Sequence, residues 1–128
     1  MPTPTLFTHP DGRPRPYAAA AVHNGTLWAC GQVPVTADGE TPTGIGDQVR
    51  LALDNLETVL TAAGGSLATL LKITVYLADL AEFDAYNTAY LARLADVPLP
   101  PRTTVQVAAF RGAKRVEIDA VAAVVPGP

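Results

Sequence analysis

A single cysteine, Cys30, and two histidines, His9 and His23, are all that this 128-residue chain offers of the soft and imidazole ligands. One cysteine excludes an intramolecular disulfide and fits a reducing compartment. The histidines lack ligand spacing, so no metal site is expected. A lone thiol is more often a small buried hydrophobe than a nucleophile. Charge is also scarce, at 16% of residues with a net charge of −3. The basic residues are scattered, the tightest group being Arg111, Lys114 and Arg115, which argues against a nucleic-acid partner. The longest apolar runs, such as residues 18–22 and 120–125, are too short to span a bilayer. No charged segment followed by an apolar core opens the chain, so no leader is expected and the location expected is cytoplasmic. There is no Walker-type loop, and Gly44-Ile45-Gly46 is too short for a dinucleotide fingerprint. No cofactor is expected.

What is present is a core. Hydrophobic residues make up 48% of the chain, enough for one domain over residues 1–128. Residues 1–16 hold five prolines and little apolar periodicity, which reads as an N-terminal arm. Strands are expected over residues 17–22 and 26–30, joined by His23-Asn24-Gly25, because Asn-Gly supplies the positive φ of a tight hairpin. Residues 47–63 carry Val49, Ala52, Leu53, Leu56, Val59, Leu60 and Ala63 at helical spacing. Gly64-Gly65 then supplies a left-handed cap. Residues 70–77 alternate as a strand, with Leu71, Ile73, Val75 and Leu77 on one face. Asp79-Leu80-Ala81-Glu82 has capping-box spacing and opens a helix running to about Leu94. Its expected apolar face is Phe83, Tyr90, Leu91 and Leu94, with Asn87 on the same stripe. Strands over residues 103–108 and 116–124 complete an α+β layer of order β-β-α-β-α-β-β, two helices on one face of a mainly antiparallel sheet.

Two helices leave the other sheet face to water or to another subunit. Alternation puts Arg102, Thr104 and Gln106 on one face of their strand, and Glu117 and Asp119 on one face of theirs. With Val105, Val107, Ile118 and Ala120 assigned to the helices, the two polar sets share the open face. Pro100-Pro101 pins the chain ahead of Arg102, and a guanidinium fixed at a strand start suits a planar carboxylate. A structural ion pair with Glu117 or Asp119 is the alternative.

Several blocks, in order, resemble the RidA/YjgF family. They are Cys30-Gly31-Gln32-Val33-Pro34, Asp54-Asn55-Leu56, Ala62-Ala63-Gly64, Lys72-Ile73-Thr74-Val75-Tyr76-Leu77, Phe83-Asp84-Ala85-Tyr86-Asn87, Pro101-Arg102-Thr103 and Val116-Glu117-Ile118-Asp119-Ala120. The resemblance spans residues 17–125. It implies a homotrimer of chorismate-mutase-like fold with clefts between subunits, and hydrolysis of reactive 2-imino and enamine acids to 2-keto acids and ammonia. The family's carboxylate-binding arginine matches Arg102, its tyrosine near the first strand Tyr17, and its helix-borne asparagine Asn87. Its last-strand acid matches Asp119. On this reading Asp119 and Tyr17 are the catalytic candidates. Arg102, Asn87, Cys30, Gly31 and Thr104 are the candidates for binding an imino or keto acid. Three positions depart from the family pattern. Asp119 replaces the usual glutamate, Thr104 a frequent cysteine, and Cys30 the serine before Gly-Gln. A non-catalytic keto- or amino-acid-binding trimer and a specialised pathway enzyme of the same family remain the alternatives. A ribonuclease is the least favoured reading.

Overall fold

The structure, a computed structural model, describes residues 3–125. Its elements are β1 (Thr5–Phe7), β2 (Ala20–His23), β3 (Thr26–Gln32), α1 (Ile45–Ala62), β4 (Leu70–Leu77), α2 (Phe83–Arg93), β5 (Arg102–Gln106) and β6 (Val116–Ala123). Short 3-10 turns lead into β4 and α2. One six-stranded sheet of order β1-β2-β3-β6-β4-β5 holds them together, antiparallel except for the parallel β4–β5 pair.

The local signals act as their chemistry dictates. Asn24 and Gly25 both take positive φ, 51° and 77°, and close the β2–β3 hairpin. All seven expected apolar positions of the first helix are buried. Each fully buried leucine on that stripe contributes about 2 kcal/mol in transfer terms. The helix stops where Gly64 adopts φ 94° and the Gly65 amide donates back to the Leu60 carbonyl at 2.8 Å.

Four local expectations need correction. Residues 17–19 are not strand, whereas Thr5–Phe7 in the arm pairs with β2 as an edge strand. Leu71 is exposed rather than in the core, because the β4–β6 register shifts between Leu70 and Lys72. Leu91 is exposed, and Tyr86 takes its place as the fully buried anchor of α2. Asp79 does cap its turn, accepting from the Ala81 amide, but Glu82 does not reach back to it. Its carboxylate holds the Arg115 guanidinium at 2.9 Å instead.

The larger correction concerns the sheet. β5 and β6 are not neighbours, since β4 lies between them. The β4–α2–β5 segment is a parallel crossover, which carries the chain over α2 and lands β5 on the outer edge. Ile73 and Val75 are buried under the helices, and their register partners are Arg102 and Thr104. Arg102 and Thr104 therefore face the helices, and Val105 faces away. On β6, Val116, Ile118, Ala120 and Ala122 are buried, so Glu117 and Asp119 point to the helix-free face. The clamp and the carboxylates lie on opposite faces of the sheet, not on one.

Candidate functional site

Arg102 opens β5, and its guanidinium reaches α2. Its Nη1 donates to the Asn87 Oδ1 at 2.7 Å. The rings of Phe83, Tyr86 and Tyr90, spaced three and four residues apart on α2, line its surroundings at 5.8, 5.4 and 4.7 Å from Cζ. A cation lodged against aromatic faces keeps its charge while its orientation is restricted, and each such contact is worth about 0.5–2 kcal/mol. Thr104 lies two residues along on the same face, its Oγ1 2.7 Å from the Tyr86 hydroxyl. Arg102, Asn87 and Thr104 thus form one cluster. No carboxylate pairs with Arg102 among the described residues, so the structural ion pair is not formed.

The second cluster lies on the helix-free face. The Tyr76 hydroxyl donates to the Asp119 Oδ2 at 2.8 Å. That bond stabilises the phenol form, and the tyrosine is pushed up to about 12. Glu117 stands two residues before Asp119. Burial raises its carboxyl above the ordinary range, and the charge of Asp119 raises it further. Gly31 lies against this neighbour: a Cβ there would fall on the Glu117 carboxylate, which would have to swing aside.

Tyr17, Cys30 and Gly31 meet at a third place, a cavity of about 540 Å³ under the N-terminal arm. His9 donates its Nε2 proton to the Tyr17 carbonyl at 3.0 Å, and the two rings meet edge to face. Arg15 grips Asp11 with two bonds, of 3.0 and 2.7 Å, and so stiffens the arm. Tyr17 itself is 56% exposed. Burial pushes the Cys30 thiol up, so it is a thiol rather than a thiolate and a poor nucleophile. The Gln32 amide donates to its sulfur at 3.3 Å.

Sequence reasoning missed Tyr76, Tyr86 and the ring set around Arg102. Tyr76 alternates onto the open face and could have been paired with Asp119 had the strand order been known. No group of three or more His, Cys, Asp and Glu side chains among the described residues is placed to hold a metal ion. No helix among them is long and apolar enough to cross a membrane.

The family model described as Endoribonuclease L-PSP matches residues 12–124. The chain belongs to the RidA/YjgF family. It is 36% identical to the 2-iminobutanoate/2-iminopropanoate deaminase of Capra hircus, over 88% of this chain and 82% of that protein. It is 38% identical to the mitochondrial protein mmf1 of Schizosaccharomyces pombe, over 94% of this chain and 83% of that one. Among solved structures it is similar to Escherichia coli TdcF with bound serine, with a TM-score of 0.84 and 31% identity. That match covers 94% of this chain and 98% of the other. The family therefore includes imine deaminases, and the α+β fold of two helices on a mostly antiparallel sheet is that of its solved members.

Proposed function

We propose that the chain hydrolyses reactive 2-imino or enamine acids to 2-keto acids and ammonia, as one domain over residues 1–128 with residues 1–16 as its arm. The observation that carries this reading is Arg102, a guanidinium fixed by Asn87 and three rings. Nη1 is engaged by Asn87, which leaves Nη2 and Nε to hold a carboxylate through two parallel bonds. The electrophilic C=N carbon next to that carboxylate is then attacked by water. A carbinolamine forms, the C–N bond breaks, and ammonia leaves with the carbonyl in its place. Such a substrate is already activated, so positioning supplies much of the acceleration. Neither a metal nor an organic cofactor is required.

Water needs a proton acceptor, and Asp119 is the candidate, with Tyr17 as donor or orienter and the Cys30–Gly31 segment lining the same side. Within one chain Asp119 cannot serve Arg102. Two strand spacings, about 10 Å, and the thickness of the sheet separate them. We therefore place the reaction between copies in a homotrimer, where the helix-free face of one subunit meets the α2–β5 edge of the next. Trp28 at 56%, Leu71 at 49% and Val105 at 39% exposure supply apolar surface on that face for such a contact. Sedimentation at micromolar concentration should report three times the 13.3 kDa chain mass. A monomer would remove the combined site. A cytoplasmic location suits the lone thiol, and the substrate is a small molecule rather than a nucleic acid or a membrane. Four of the nine basic residues, Arg15, Arg50, Arg93 and Arg115, are paired with carboxylates, and the net charge of −3 speaks against RNA.

The deciding experiment generates imines in situ with an amino-acid oxidase and follows 2-keto acid release. Acceleration by the protein supports the reading, and release at the uncatalysed rate sinks it. The short side chain of Asp119, with one oxygen engaged by Tyr76, favours a second reading: a trimer that binds 2-keto acids without turnover. Binding of 2-oxobutanoate in calorimetry with no acceleration of imine loss would select it. A specialised pathway enzyme acting on another enamine would instead turn over a different substrate at the same arginine.

A further inference from the structure

Tyr86 has no free surface, and its hydroxyl has one hydrogen-bond partner among the described residues, Thr104 Oγ1 at 2.7 Å. A buried phenol proton left without an acceptor is costly, so the direction of this bond is a chemical question with a physical answer. The Arg102 guanidinium, whose Cζ stands 5.4 Å from the centre of the Tyr86 ring, carries only donors and offers that proton no acceptor. The phenol proton therefore goes to Thr104 Oγ1, its one acceptor within hydrogen-bond distance among the described residues. Thr104 is only half-buried, so its own hydroxyl proton can be directed outward.

We infer that Tyr86 is a positioning residue that donates to Thr104 and thereby commits the Thr104 hydroxyl to donate to the anion held at Arg102. The inference rests on Arg102 being the carboxylate clamp. It adds a neutral donor of fixed direction to a planar cation, on the same strand face and two residues away. A hydroxyl free to rotate would accept or donate indifferently. One whose lone pair is already filled by a buried phenol prefers an acceptor, such as a carboxylate oxygen. The Tyr86 ring has a separate task, since it also stands against the guanidinium. Removing the hydroxyl alone therefore separates the two roles.

The test uses Tyr86→Phe, Thr104→Val, Thr104→Ser and the double variant Tyr86→Phe/Thr104→Val. Two readouts are taken on each intact protein: the thermal midpoint without ligand, and the Kd for 2-oxobutanoate. Without ligand, Thr104→Val should lower the midpoint by about 4 °C or more, because it orphans a buried phenol. Tyr86→Phe should lower it less, since Thr104 can turn to water, and the double variant should recover toward Tyr86→Phe. With ligand, Tyr86→Phe and Thr104→Val should each weaken binding about three- to tenfold, the double variant no more than either, and Thr104→Ser less than about twofold. The reverse order of midpoints, with Tyr86→Phe the costlier change and no recovery, overturns the bond direction. A Tyr86→Phe protein that binds 2-oxobutanoate like wild type overturns the positioning role. Failure of the clamp reading looks different. Wild type and Arg102→Ala would then bind 2-oxobutanoate equally or not at all, and the ligand half of the inference would fall. The ligand-free midpoints would still decide the direction of the bond.

Discussion

The two faces of the sheet treat their polar groups in opposite ways. On the helix side, Arg102 is fixed by short-range partners from one helix: an amide oxygen, three rings and a neighbouring hydroxyl pair. On the helix-free side, Asp119 has one partner, Tyr76, and Glu117 has none among the described residues beyond its packing against Gly31. The first cluster is assembled within one chain, with the buried Tyr90 hydroxyl left without a hydrogen-bond partner among the described residues. The second is supported from one side and faces outward. A cation held by its own chain and a carboxylate presented to the exterior is the division of labour expected of a site that closes only when copies of the chain meet.

The strongest way to break this comparison is at Arg102. Arg102→Ala and Arg102→Lys should each reduce kcat/KM for keto-acid release by on the order of a hundredfold while the fold survives. Lysine keeps the charge but loses the planar fork. Wild-type rates in the lysine variant would show that charge alone suffices.

The carboxylate side should respond less. Asp119→Ala should lower kcat/KM about tenfold or more, and Asp119→Glu, which carries the carboxylate one methylene further out, should raise it. Both are compared in assemblies of verified mass. Unchanged kcat/KM in both would leave Asp119 without a catalytic role.

Gly31 tests the packing of the open face. Gly31→Ala places a methyl group where the Glu117 carboxylate now lies and should cost less than about 1 kcal/mol in chemical denaturation, because that flexible side chain, without a partner among the described residues, can swing aside. In Gly31→Ala/Glu117→Ala that cost should largely disappear.

The smallest effect belongs to Glu117 itself. Its carboxyl is raised in the folded chain, so the folded state holds the proton more tightly than the unfolded one. Stability from this group is present at low pH and is lost as pH rises from the ordinary value of 4.5 through the raised one. Glu117→Gln should therefore raise the thermal midpoint at pH 7 slightly and flatten its dependence above pH 5. A lower midpoint at pH 7 would show that the ionised carboxylate is stabilised by a partner.

The sequence determined by itself whatever depends on neighbours along the chain. The seven-residue stripe of α1, the Asn24-Gly25 turn and the Gly64-Gly65 stop are local physics, since 3.6-residue periodicity and positive φ are readable from residue types. The same holds for which residues of a strand share a face: Arg102 with Thr104, and Glu117 with Asp119. The family blocks added which of these residues to watch. Alternation fixes two sets, however, and does not say which set meets the helices. That choice rests on the register Ile73↔Arg102, which exists because β4–α2–β5 is a parallel crossover and not because of any property of residues 102–106. The same crossover inserted β4 between the two strands that carry the polar sets. Tertiary structure alone therefore decided that Arg102 faces the Asn87 and Tyr86 side chains, that Asp119 faces Tyr76, and that the two halves look away from each other. Strand order is set by contacts distant in sequence, where the loss of loop entropy is weighed against burial over the whole sheet.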